Sequence, residues 1–354
     1  MNELPHGRRV RVLVVEDSAS SRELLVRLIN ADPRLQVAGT AVDGEEAVRA
    51  AAELAPDVIT MDIHLPLLDG FGATRRIMEI CPTRIVMVTA TSIPHEVAHS
   101  FEALESGALT VLPKPLGPAH PEFAAMRDEL LRTIALMAEV AVVRRWPPTA
   151  SARAVAVPRA VPTHGEVKLV AIGASTGGPL ALQAILSRLQ PHFGVPVVVV
   201  QHISSGFTPG LVEWLSRSSA LPVRLAAHDE RAQSGVVYIA PDGAHTTLRA
   251  DGRIVLSAGP AENGFRPAVS CLFRSAAHSH GPHAVGVLLT GMGQDGAREL
   301  KTMQEAGAFT IVQDRASAVI YGMPGEALRL GAASQVLSPE AIAATLNRLV
   351  KRRE

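Results

Sequence analysis

Cysteine and aromatic residues are scarce: among 354 residues there are two cysteines, two tryptophans, two tyrosines and eight phenylalanines. Cys81 and Cys271 cannot build a disulfide framework, which suits a reducing compartment. The chain also lacks a charge excess, since 34 Lys and Arg balance 34 Asp and Glu. A general nucleic-acid binder carries a basic surplus, so no nucleic-acid partner is expected. No apolar run approaches the roughly 18–20 residues of a membrane span. The first residues, MNELPHGRR, lead straight into a strand-like run without the apolar stretch of a signal peptide. The expectation is a cytoplasmic protein with no membrane insertion. What the chain does have is 47% hydrophobic against 19% charged residues, which excludes wholesale disorder. Its length suggests two domains.

Short β-rich runs alternate with helical patterns, the signature of parallel α/β units. Strands are predicted over 10–15, 35–41, 58–61, 85–89 and 109–112. Helices are predicted over 18–30, 44–54, 72–80, 93–106 and 121–143. These make five βα units in a first doubly wound domain, residues 1–143. Residues 144–166 contain Pro147, Pro148, Pro158 and Pro162 and no apolar period, and read as an extended linker that Trp146 could pin at its start. From 167 to 354 the alternation resumes. Strands are expected over 169–172, 195–200, 223–226, 236–239, 253–256, 284–289 and 309–312. Helices are expected over 179–189, 209–217, 268–278, 296–306 and 339–350. The fold class is α/β throughout, with a second doubly wound, mainly parallel domain.

In such sheets ligands bind beyond the carboxyl ends of the strands. Five polar residues of the first domain fall there: Glu16, Asp17, Asp62, Thr89 and Lys114. Crowded carboxylates repel unless a hard cation neutralises them, and oxygen ligands suit Mg²⁺. A cation, a hydroxyl and an ammonium around one carboxylate can stabilise a transferring phosphoryl group. Each acid alone could equally be a solvated loop residue. The segments VVEDS, MDIHLPLLDG, VTA and LPKP together resemble the receiver domain of two-component response regulators. The resemblance implies that Asp62 is the phospho-acceptor, that Glu16, Asp17, Asp62 and the backbone carbonyl of His64 hold Mg²⁺, and that Thr89 and Lys114 contact the phosphoryl group. It also implies a cis Lys114–Pro115 bond. Receivers often carry an aromatic residue three positions before the lysine, where this chain has Val111. Gly70 and Gly72 read as turn glycines.

In the second domain, KLVAIGASTGG is a strand, a Gly-x-Ser-x-Gly turn and a helix start. This context suits a nucleophile turn at Ser175. A phosphate loop and a plain turn are the rival readings, although the Gly-Lys-Ser/Thr ending of a phosphate loop is missing. A serine needs a base. His202 follows a strand and lies at the same sheet edge, with His228 and His245 as fallbacks. Asp295 follows the 284–289 strand and could orient the base, with Asp314 as its rival. The cluster His278, His280 and His283 precedes a strand and reads as a solvated loop at the opposite edge.

The segments AIGASTGG, VVQHI with GFT, VYIAPDGAH, FRPAV with LFRSAA, LLTGMGQDGA and QDRASAVIYGMPGEA resemble the chemotaxis protein-glutamate methylesterase family (CheB). Ile203-Ser204-Ser205 departs from the Met-Pro-Pro often found there. The resemblance implies a phosphorylation-activated serine esterase with the triad Ser175, His202 and Asp295. It would hydrolyse γ-glutamyl methyl esters on chemoreceptors, release methanol, deamidate specific glutamines, and so act in chemotactic adaptation. It implies a chemotaxis histidine kinase as phosphodonor, and a receiver that covers the catalytic face until it is phosphorylated. Backbone N–H groups near Thr176 and Met292 are the candidate oxyanion donors. No cofactor is expected for the esterase step. A DNA-binding regulator, a nucleotide-dependent enzyme using 173–178, and a non-catalytic scaffold are the competing classes.

Overall fold

The computed structural model describes residues 8–90, 94–140 and 166–350. The chain folds as two units, Met1–Ser151 and Ala152–Glu354. The expected linker and Trp146 lie outside the described residues, apart from Glu166.

In the first unit the elements run β1 (Val10–Val15), α1 (Ala19–Ala31), β2 (Leu35–Ala41), α2 (Gly44–Leu54), β3 (Val58–Met61), α3 (Gly70–Ile80), β4 (Arg84–Thr89), α4 (Pro94–Ser100), α5 (Glu102–Glu105), β5 (Thr110–Pro113) and α6 (Phe123–Met137). The strands form one sheet in the order β2-β1-β3-β4-β5, and every pairing is parallel. β1 and β3 lie in the middle of the sheet and are almost wholly buried, and their sequences are apolar except for Arg11 and Thr60. The helix expected over 93–106 is instead two pieces with Phe101 between them. Residues 91–93 lie outside the described residues. The helix expected over 121–143 ends earlier, at Met137, and residues 138–140 turn out of it.

The second unit contains β6 (Leu169–Ala174), α7 (Gly178–Leu186), β7 (Val197–Gln201), α8 (Thr208–Ser218), β8 (Val223–Leu225), β9 (Val237–Ile239), β10 (His245–Leu248), β11 (Ile254–Ser257), α9 (Val269–His280), β12 (Ala284–Leu288), α10 (Ala297–Glu305), β13 (Phe309–Gln313), α11 (Met323–Arg329), β14 (Gln335–Leu337) and α12 (Pro339–Leu349). Seven strands form a parallel sheet in the order β14-β13-β12-β6-β7-β9-β8, and β10 with β11 makes a separate antiparallel hairpin. A buried cluster of Leu169, Val198, Val200, Leu272, Phe273, Leu288 and Leu300 fills the space between sheet and helices.

Both sheets reverse direction at one point. After β1 the chain builds outward through β2, then returns to place β3 on the other side of β1. After β6 it builds outward through β7, β8 and β9, then returns to place β12 on the other side of β6. Such switch points open a crevice beyond the strand ends. Glu16, Asp17 and Asp62 flank the first, and Ser175, His202 and Asp295 flank the second.

Candidate active site and phosphorylation pocket

In the first unit, Glu16 and Asp62 are buried and Asp17 is exposed, and one oxygen of each lies within 4.8 Å of the others. Lys114, following β5, reaches Glu16 Oε2 at 2.8 Å and Asp62 Oδ2 at 2.7 Å. Burial pushes the Glu16 carboxyl up, and the Lys114 ammonium opposes that shift only in part. Burial works to lower the Lys114 pKa but is outweighed by its bonds to Asp62 and Glu16, so the ammonium is held charged. Asp62 Oδ1 accepts from its neighbour's amide, Ile63 N, at 2.7 Å. Thr89 is fully buried at the end of β4, and its carbonyl accepts from Lys114 N at 2.7 Å. The donor set is all oxygen, and three carboxylates against one ammonium leave an anionic pocket. These residues fit a hard divalent cation such as Mg²⁺.

Two sequence expectations change here. The Lys114–Pro115 bond is trans, and the cis peptide among the described residues is Arg266–Pro267. The two isomers of a proline bond differ by only about 0.5–1 kcal/mol, so a Lys-Pro motif does not dictate which is adopted. Gly70 also does more than turn the chain. A Cβ there would lie 2.1 Å from the carbonyl oxygen of Asp62, so the absent side chain lets α3 start against the Asp62 backbone.

In the second unit the register pairs Ala174 with Gln201, so Ser175 and His202 leave β6 and β7 one step later, side by side. His202 N donates to Ala174 O at 2.9 Å, and Ser175 N donates to Thr290 O at 3.0 Å. Gly177 adopts φ 78°, a left-handed conformation that a side chain disfavours, and turns the chain into α7. A Cβ at Gly291 would meet the Ser175 Cβ at 2.6 Å, so the segment after β12 lies directly on the serine.

His202 Nε2 approaches Asp295 Oδ2 at 2.9 Å, off the axis of the ring N–H, and Nδ1 is buried with no partner. The imidazole stacks flat on Phe265 with ring centroids 3.8 Å apart. Asp295 is 1% exposed. It accepts from Asn263 Nδ2 (2.9 Å), Val269 N (2.7 Å), Ser270 N (3.2 Å) and Ser270 Oγ (2.5 Å). Burial alone would raise its pKa, but the His202 ring beside it and the hydrogen bonds from Ser270 and Asn263 outweigh that and hold it at about 2.

The rival residues lie elsewhere. His245 is engaged with Pro260 O at 2.8 Å and Ala268 N at 3.3 Å, and His228 with Leu256. Asp314 accepts from Ser317. The N–H groups of Thr176 and Met292 have no hydrogen-bond partner among the described residues. Sequence reasoning missed Phe265, Asn263 and Ser270, and also Gln201, whose Nε2 donates to Ser175 O and His202 O at 2.8 and 2.7 Å.

Residues 170–346 match the CheB methylesterase family, and residues 12–121 match the response regulator receiver domain. A protein-glutamate methylesterase/protein-glutamine glutaminase of Geobacter metallireducens is 51% identical over 96% of this chain and 99% of its own. One from Syntrophus aciditrophicus is 48% identical over 96% and 98%. The chain belongs to the protein-glutamate methylesterase/protein-glutamine glutaminase family. The crystal structure of the Thermotoga maritima CheB methylesterase catalytic domain superposes with a TM-score of 0.51 at 37% identity, covering 52% of this chain and all of that one. As a member of this family the chain is a hydrolase with a receiver domain attached. Among the described residues no helix is long and apolar enough to cross a membrane.

Proposed function

We propose that Ser175, His202 and Asp295 form the catalytic triad of a methylesterase acting on γ-glutamyl methyl esters of chemoreceptors, and that the same site deamidates specific glutamines. The observation that carries this is their convergence at the switch point, with a buried, strongly acidic Asp295 against the ring of His202. The Ser175 hydroxyl attacks the ester carbonyl. The free ring nitrogen of His202 takes the serine proton and returns it to the leaving methanol, or to ammonia from a glutamine. Water then repeats the sequence on the acyl-enzyme and releases glutamate. Asp295 holds the ring and stabilises its protonated form. The unpaired N–H groups of Thr176 and Met292 receive the oxyanion. The 2.9 Å contact that lies off axis here straightens when substrate seats, as such bonds commonly do.

The receiver takes its phosphoryl group on Asp62 from a chemotaxis histidine kinase, in the cytoplasm. Glu16, Asp17, Asp62 and the His64 carbonyl would hold Mg²⁺, which shields the incoming phosphoryl charge. Lys114 pairs with the phosphorylated side chain and Thr89 contacts it. Residues 144–166 link the receiver, 1–143, to the catalytic domain, 167–354. Ser175→Ala is expected to keep the fold by thermal melting and to abolish methanol release from membranes carrying methylated receptors. Release near the wild-type rate would overturn the assignment.

A further inference from the structure

Gln201 is the last residue of β7, 4% exposed, in a strand whose other members are all valine. Its two amide hydrogens are both used, on the carbonyl oxygens of Ser175 (2.8 Å) and His202 (2.7 Å). Those partners can only accept, so the amide's orientation is fixed. Its own oxygen, Oε1, is buried with no partner. Room for that oxygen exists only because residue 178 is glycine: a Cβ there would lie 2.0 Å from Oε1.

A buried acceptor left unpaired is unfavourable, and a methionine or leucine would remove it only by taking the amide donors from the Ser175 and His202 carbonyls. Gln313, at the matching end of β13, is the contrast. Its Oε1 accepts from Thr290 N at 2.7 Å and its Nε2 donates to Ser317 Oγ at 3.1 Å, so both ends of that amide are satisfied. Of these two strand-end glutamines, the one left unsatisfied is Gln201, whose amide bonds the backbone of Ser175 and His202.

The Ser175 carbonyl receives two donors, Gln201 Nε2 and Gly178 N, the latter at 2.7 Å. The other end of that same peptide group is the Thr176 N–H. Hydrogen bonds in series polarise one another, so two donors on the carbonyl make the N–H at the far end a stronger donor and fix its direction. The second bond, to the His202 carbonyl, ties the backbone of the base to that of the nucleophile. We infer that Gln201 is a positioning residue for the reaction: its amide aims and polarises the Ser175–Thr176 peptide as an oxyanion donor and holds Ser175 and His202 at one spacing. This rests on Ser175 being the nucleophile.

The test is Gln201→Met in the full-length chain, with the phosphodonor concentration held constant. Methanol release from methylated receptor membranes gives kcat and KM, end-point labelling with a fluorophosphonate counts competent serines, and melting reports the fold. The expected result is a kcat per competent serine lower by roughly 10–100-fold, a KM within about twofold, and a retained melting transition. Deamidation should fall in the same proportion. A wild-type rate per competent serine, whatever the number of such serines, would show that Gln201 only supports the fold. Should the methionine variant not fold, Gln201→Glu keeps the shape, can supply at most one of the two donors, and carries the same expectation. Ser175→Ala run alongside separates the two claims. If it still releases methanol, the nucleophile assignment falls; if it is inactive while Gln201→Met is unimpaired, only the positioning role falls.

Discussion

At Asp295, four hydrogen bonds from three residues and the imidazole of His202 converge on one carboxylate that water barely reaches. The ordinary carboxyl value is 3.8, and the folded value is about 2. A depressed folded value means that the native state holds its proton less tightly than the unfolded chain. The associated stability is therefore fully present above pH 3.8 and is lost as pH falls through about 2. The shift corresponds to a linkage on the order of 2 kcal/mol. Asp295→Asn should lower kcat by about 10²–10⁴ by misorienting His202. Urea unfolding should also show a stability gap from wild type that is constant above pH ~4 and narrows as pH falls toward ~2. A gap that does not change with pH would mean that the hydrogen bonds do not set the acidity of Asp295. At this scale Ser175, His202 and Asp295 were legible because each follows a strand that the apolar pattern reveals. Ser270 and Asn263 were not, because a single polar residue at a helix start or in a loop carries no period. Gln201 did leave a trace, as a glutamine closing a run of buried valines.

The elements that position these residues were legible in proportion to their burial. β1, β2, α2 and β3 have the predicted ends, since their apolar periods stop sharply. β10, α11 and β14 were missed. β10 reads HTTL and pairs only within a two-stranded hairpin, so it needs no apolar run. α11 is seven residues and begins with Met323 and Pro324, too short to show a period. β14 is a three-residue edge strand. The sheet orders, and with them the switch points, depend on pairings that no local pattern encodes. The start of α3 gives a test at this level. A Cβ at Gly70 meets the backbone oxygen of Asp62 at 2.1 Å, whereas at Gly72 it meets the tip of the Leu68 side chain at 2.5 Å. Backbone cannot yield cheaply and a leucine methyl can. Gly70→Ala should therefore destabilise the receiver by about 1–3 kcal/mol. It should also slow phosphorylation of Asp62 by acetyl phosphate, while Gly72→Ala does much less of both. Equal effects in melting and phosphorylation assays would show that the Asp62 backbone contact is not what Gly70 protects.

Across the whole molecule the zero net charge is an average over unlike parts. Residues 1–140 hold 13 Lys and Arg against 20 Asp and Glu, while residues 167–354 hold 17 against 13. The acidic part owes some of its charge to the pocket around Asp62, and the mildly basic part contains the esterase site. Two units of opposite sign on one chain attract each other, and a phosphoryl group on Asp62 changes the charge of one of them only. If the receiver restrains the catalytic unit, removing it should mimic phosphorylation. The catalytic half of the chain is suited to the experiment, since the similar Thermotoga maritima domain crystallises without its receiver. Deleting residues 1–150 should raise methanol release above that of the unphosphorylated full chain, and a phosphodonor should then have no further effect. A truncated protein no faster than the unphosphorylated whole would mean that the receiver activates when phosphorylated rather than restrains when it is not. The control would then have to run through contacts that only the phosphorylated receiver makes.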